Sequence, residues 1–166
     1  DRASLAELDI ADSDRVREAL AGFEPEYICH FAAQASVPVS VKEPKRDFDS
    51  NVLGTFNILN SATHHRARTV FASTGGALYG EGAPIPTDES FVPQPLSPYG
   101  ASKQAAEAFV GALARFHGID HTVLRLGNVY GPRQSPHGEA GVVAIFSERL
   151  LLDQPVVAYG QGTPTR

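Results

Sequence analysis

Tyr99 and Lys103 stand four residues apart in the stretch SPYGASKQAAE, residues 97–107. On a helix, positions i and i+4 share a face, so a phenol and an ammonium would lie side by side. A nearby positive charge favours the phenolate and lowers a tyrosine's pKa from about 10 toward neutral. Such a tyrosine can act as a general base at ordinary pH. Pro98 suits the first helical turn, and the positive end of the helix dipole also favours the anion. The alternative is a plain helix start with a solvated lysine, because Tyr-x-x-x-Lys arises by chance readily enough in a chain with five tyrosines. A second group of chemistry-bearing residues precedes it. Ser73 and Thr74, in VFASTGGALYGEG (70–82), bring hydroxyls to the end of an apolar run. A hydroxyl there can hydrogen-bond the oxygen that Tyr99 deprotonates; the alternative is a loop start with a turn-forming Thr-Gly-Gly.

The elements that must position these groups read from hydrophobic period. LAELDIAD (5–12) reads as a short strand entering a polar turn, with Asp12 or Ser13 capping a helix over 14–22. EYICHFAA (26–33) is β-rich and mostly apolar, as in a strand covered on both faces. Residues 47–65 carry apolar side chains at 48, 52, 53, 56, 59 and 62, a helical stripe. ARTVFAST (67–74) is another buried strand, followed by a Gly/Pro-rich loop over 75–98. Residues 98–117 form a helix stopped by Gly118 at C′. A strand and loop over 121–131, a helix over 141–153 and a short strand PVVAYG (155–160) complete the chain. This alternation implies an α/β fold, a parallel sheet with helices on both faces. Function on such sheets gathers at the carboxyl ends of the strands. Small and polar clusters follow the strands at Asp9, Ala32–Gln34, Ser73–Gly76 and Gly127–Asn128.

Bulk properties narrow the class. With 42% apolar and 20% charged residues, the 166-residue chain has the makeup of a soluble domain with a real core. A net charge of −5 and the lack of a basic stripe exclude a nucleic-acid partner. No apolar run approaches the roughly 18 residues of a membrane span. Cys29 is the sole cysteine, so a reducing cytoplasm is expected. His64, His65, His117, His121 and His137 show no metal-ligand spacing, His30 reads as a packed core residue, and no metal is expected. The chain lacks methionine, begins with Asp1 and ends mid-pattern in GQGTPTR, so it is expected to be a piece of a longer protein. The Gly-rich strand–helix turn that holds a dinucleotide pyrophosphate is not found before Asp9.

VFASTGGALYGE, PLSPYGASKQAAE and VLRLGNVYGPRQ occur in order, after HFAAQASVPVSVKEPKRDFDSNVLGTFNIL (30–59) and before GEAGVVAIFSERLL (138–151). Together they resemble the extended short-chain dehydrogenase/reductase family, in its NAD-dependent nucleotide-sugar epimerase/dehydratase branch, across essentially the whole chain. The resemblance implies a Rossmann-like, doubly wound parallel sheet that is incomplete here. The first Gly-rich βα unit and most of the C-terminal substrate domain would lie outside the chain. Residues 1–131 would be the partial NAD-binding domain and 132–166 the start of the substrate-binding region.

The resemblance also implies roles. Tyr99 is the acid/base; Lys103 lowers its pKa and bonds the nicotinamide ribose. The usual hydroxyl position, counted back from Tyr79–Gly80, falls on Gly75, so the role passes to Thr74, with Ser73 as fallback. Asp9 and Ile10 resemble adenine contacts, with a helix-capping region as the alternative. Phe31, Ala32, Ala33 and Gln34 resemble the strand end that admits the cofactor, against simple close packing. Asn51 resembles an asparagine that braces the loops around the cofactor, against an exposed helix residue. Asn128 and Arg166 resemble residues that hold the nucleotide-sugar diphosphate, a task a guanidinium fork suits. Val142 and Val143 resemble nucleotide-pocket positions, or are core.

The implied reaction is C4 epimerisation of a UDP-sugar of the glucose/galactose type, through a 4-keto sugar, with NAD retained. A 4,6-dehydratase needs a further acid and base, and Gly75 and Gly76 after Thr74 supply neither. A reductase, a decarboxylase or a truncated non-catalytic module stay open. The full-length protein is expected to dimerise through helices within 47–65 and 98–117.

Overall fold

Side chains at helix starts and left-handed residues at helix ends set most boundaries. The computed structural model describes residues 3–137 and 141–158. Helix α1, Ser13–Phe23, starts where Asp12 accepts hydrogen bonds from Asp14 N and Arg15 N, and ends at left-handed Glu24. Strand β1, Tyr27–His30, follows, then two short helices, α2 (Val37–Lys42) and α3 (Pro44–Phe48). Ser36 caps α2 through Val39 N. A single π-helical turn, Asp49–Leu53, joins α3 to α4 (Gly54–His65). Strand β2 is Arg68–Thr74, α5 is Pro98–His117, β3 is His121–Leu126 and α6 is Val142–Leu151. Ser97 caps α5 at Gly100 N, and Gly118 ends it at φ 64°.

The three strands form one parallel sheet in the order β1-β2-β3, with His30 opposite Phe71 and Thr74 opposite Leu126. Its core joins Phe71 of β2 to Leu59 of α4 and to Ala106 and Val110 of α5, with Leu113 and Val123 packed around them. Burying a side chain the size of Phe or Leu contributes roughly 1.5–3 kcal/mol, so this cluster ties α4 and α5 to β2 and thereby positions the carboxyl end of β2.

Several expectations differ from what is observed. Residues 5–9 form no strand; they have no ladder partner among the described residues, and a lone extended segment is not a stable strand. β1 is shorter than 26–33 and is covered on one face: Tyr27, Cys29 and Phe31 alternate along it and are exposed, while His30 lies on the face of Phe71, where α4 and α5 pack. The helix expected over 47–65 begins at Pro44 and contains the π turn, which leaves Phe48 and Leu53 exposed while Val52, Leu59 and Ala62 are buried. Residues 155–158 form no strand; Tyr159 and Gly160 lie outside the described residues. Among the described residues no helix is long and apolar enough to cross a membrane. Nor does any group of three His, Cys, Asp or Glu residues there stand close enough to hold a metal ion.

Candidate active site

β2 ends at Thr74 and α5 begins at Pro98, and the chain brings these ends together. The approach requires Gly100: a Cβ there would collide with the Ala77 carbonyl oxygen and lie 2.8 Å from Pro95 Cβ. Thr74 Oγ1 accepts from Ala77 N at 3.2 Å, and the Thr74 hydroxyl lies beside the Tyr99 side chain, whose ionised form it favours. A hydroxyl-bearing side chain at 75 would be crowded. A Cβ at 75 would stand 3.1 Å from Arg125 O and 3.3 Å from Leu126 O, against β3's backbone. Ser73, at 5% exposure, has an Oγ with no hydrogen-bond partner among the described residues.

Lys103 lies one turn beyond Tyr99 at 4% exposure. Its Nζ donates to Ala72 O at 2.9 Å and stands 4.9 Å from the Phe71 ring centroid. Burial lowers its pKa to about 8, with the negative charge of Asp47 acting in the opposite direction. The expected lowering of Tyr99's pKa by Lys103 is not found. Tyr99's pKa is raised, first by burial and also by Asp47, and only the Thr74 hydrogen bond pulls it down. The reason is geometric: the ammonium is directed at the Ala72 carbonyl and the Phe71 face, and desolvation of the phenolate dominates.

A polar cluster braces these groups. Asn51 sits in the π turn, fully buried, which excludes the exposed-residue alternative. π turns are rare and often mark functional positions. Asn51 Oδ1 accepts from Gln34 N at 2.9 Å, and its Nδ2 donates to Gln34 O, Asp47 Oδ1 and Ser102 Oγ at 2.9, 3.0 and 3.1 Å. Ser102 Oγ in turn donates to Tyr99 O at 2.9 Å. The loop after β1, the π turn and the first turn of α5 are thus fastened at one point.

The remaining expected residues fall elsewhere. Gln34's side chain is committed to the loop: Nε2 donates to Ser36 O and Asp47 Oδ1, and Oε1 accepts from Ser36 N. Phe31, Ala32 and Ala33 line the exposed loop after β1, so close packing does not account for them. Asp9 is exposed and accepts from Ala11 N, and Ile10 packs against Gly54 of α4 while its carbonyl accepts from Asn57 Nδ2. Asn128 is exposed. Val142 and Val143 are half-exposed in the first turn of α6, not core; Val143 lines an open groove of about 640 Å³ with Tyr130, Pro132, Gln134, Ser147 and Glu148. Arg166 lies outside the described residues. His30 is a core residue, as expected: it is buried, its Nε2 lies 2.9 Å from Thr55 Oγ1, and burial lowers its pKa to about 4.

Sequence reasoning missed Asp47, Ser102 and Arg125. Asp47 stands four residues before Asn51 on a helical stretch, a spacing that signals a shared face. Ser102 adjoins Lys103. Arg125 bonds Glu107 at 2.8 Å and Tyr79 Oη at 2.8 Å, tying β3 to α5 and to the loop over 75–98. Nothing in the sequence marks that pairing.

A parallel sheet with a Tyr-x-x-x-Lys helix at the carboxyl end of a central strand defines a class, the short-chain dehydrogenase/reductase type of nucleotide-binding protein. Comparison with known proteins places it more narrowly. The family model described as NAD dependent epimerase/dehydratase family matches residues 1–166, and the chain belongs to that family. It is 43% identical over 166 residues to a putative UDP-glucose 4-epimerase of Methanocaldococcus jannaschii, covering 99% of this chain and 54% of that protein. A structure of Thermotoga maritima UDP-glucose 4-epimerase with UDP-glucose superposes with a TM-score of 0.91 at 45% identity, covering 98% of this chain and 53% of that one. One of Thermus thermophilus UDP-glucose 4-epimerase with NAD gives 0.83 at 47%, covering 96% and 52%. The chain therefore spans about half the length of these relatives.

Proposed function

We propose that the full-length protein is an NAD-dependent epimerase that inverts C4 of a UDP-sugar of the glucose/galactose type. The observation that carries this reading is the meeting of Thr74, Tyr99 and Lys103 at the carboxyl end of β2. The named activities of relatives at 43–47% identity support it. The residues fit NAD: an orphaned Ser73 hydroxyl on β2, the exposed loop Phe31–Ala33 after β1, and Lys103 of α5 against the end of β2. Residues 1–131 would hold the cofactor, with Asp9 and Ile10 toward its adenine and Asn51 bracing the site. Residues 132–166 would open the substrate region, with Asn128, Val142, Val143 and Arg166 toward the nucleotide diphosphate.

When bound beside Lys103 and the loop Phe31–Ala33, NAD would supply a reversible hydride acceptor for C4 of the sugar. Tyr99 takes the C4 hydroxyl proton and gives it back after the 4-keto sugar has turned over. Thr74 donates to the phenolic oxygen and so stabilises the phenolate that burial disfavours. Gly75 and Gly76 supply no proton-transfer group, which speaks against dehydration. We place the protein in the cytoplasm, which suits the exposed, lone Cys29.

Incubating the full-length protein with UDP-galactose or UDP-glucose, and following C4 by NMR, tests the reading. Inversion that disappears in Tyr99→Phe is expected. Accumulation of a 4-keto product or NADH would replace epimerisation by another reaction on this scaffold. Inactivity on a panel of nucleotide sugars, with no co-purifying NAD, would favour a binding module.

A further inference from the structure

Asp47 is a carboxylate at 1% exposure on α3, and the reaction outlined above gives it no task. Its Oδ1 accepts from Gln34 Nε2 at 2.8 Å and Asn51 Nδ2 at 3.0 Å. Its Oδ2 is buried without a hydrogen-bond partner among the described residues. Leaving a charged oxygen in the interior with no hydrogen bond is costly unless another charge compensates it. The charged groups on the elements packed against it are few. On its own helix, Arg46 is engaged by Glu43 and Lys45 by Asp49 of the π turn, both at the surface. Lys42 of α2 is exposed. On α5, which packs against α3, Glu107 is engaged by Arg125, leaving Tyr99 and Lys103; Asp47 acts on both across the packed helices and not through a direct ion pair, and His30 of β1 is the further titratable group that faces Lys103.

We propose that Asp47 is a positioning residue for the Tyr99–Lys103 pair, its Oδ1 fastening Gln34 and Asn51 and its carboxylate supplying the buried countercharge for the Lys103 ammonium. The proposal rests on the functional reading above and extends it. The charge matters because Lys103 is desolvated, and its proton is retained near neutral pH only against that penalty. The same charge opposes the Tyr99 phenolate. Asp47 therefore moves both ionisations in one direction, toward higher pH.

Asp47→Asn in the full-length protein keeps an acceptor for Gln34 and Asn51 and removes the charge. Two readouts decide. In protein labelled with ¹³C at lysine Cε, with the signal assigned through Lys103→Arg, wild-type Lys103 should titrate at about 8, and Asp47→Asn should lower that by about half a pH unit or more. Both limbs of the pH profile of kcat should move to lower pH together, and Asp47→Glu should restore them. A Lys103 titration and a pH profile that stay in place, whatever the fall in kcat, would overturn the proposal and leave Asp47 a structural acceptor. If Asp47→Asn fails to fold, Asp47→Ser gives the same two readouts without a buried amide. If the wild type inverts no UDP-sugar, the functional reading fails, and the Lys103 titration still decides the role of Asp47.

Discussion

Burial and one hydrogen bond act in opposite senses on the Tyr99 hydroxyl, and the balance makes Thr74 as consequential as the tyrosine itself. Thr74→Ser should keep most of the C4 inversion rate, whereas Thr74→Val should lower kcat by about a hundredfold, within the range for a lost proton-transfer partner; initial rates on UDP-galactose check this. His30 gives a residue-scale prediction for stability. Its pKa in the fold, about 4, lies below its ordinary value of 6.5, so the folded state binds fewer protons than the unfolded chain between those values. Its contribution is fully present above pH 6.5 and is lost as pH falls toward 4, an effect on the order of a few kcal/mol. Thermal midpoints measured across that window should fall in the wild type and flatten in His30→Gln.

At the scale of elements, the π turn decides where Asn51 points. Asn51→Ala would leave the Gln34 N–H and carbonyl without their partner, costing about 1–3 kcal/mol. Urea denaturation should show that loss, and kcat should fall with it because the loop after β1 is released. How far such elements were legible differs from one to the next. α5 was read over its full length, since Ser97, Pro98 and Gly118 are local signals that no tertiary contact overrides. The two motifs suggested that Thr74 and Tyr99 serve one sugar hydroxyl; that Thr74 acts on Tyr99 itself was not legible. The π turn, α2 and the Arg125–Glu107 pairing were not, because they arise from packing between segments distant in sequence. β1 differs for a related reason: an apolar composition does not say whether helices cover a strand on one face or on both.

Over the whole molecule, exposed apolar side chains are scattered, and α5 carries two of them, Phe109 and Phe116. Phe56 and Phe109 meet edge to face with centroids 5.6 Å apart, and Phe116 is 84% exposed. This is the surface through which the full-length protein is proposed to pair. Phe109→Lys should shift its sedimentation from dimer to monomer, and an unchanged mass would exclude these helices as the interface. The loop over 75–98 is held to the body by Arg125, which reaches Tyr79 and Glu89 O as well as Glu107. The segment leading into Tyr99 is therefore anchored at its far side, consistent with a site assembled before any ligand arrives.

Lys103 has a second employment in the contact to Ala72 O. That carbonyl lies one residue past the end of the β1 ladder, and the ammonium satisfies it in the interior. A descendant of this chain that had abandoned the reaction would still be under selection to keep the lysine, because its loss would leave the part-buried Ala72 carbonyl without that donor. Tyr99 carries no such obligation through its hydroxyl beyond Thr74. Among diverged copies, retention of the tyrosine is thus the informative mark of surviving activity, while the lysine can outlast the chemistry as a relic of folding alone.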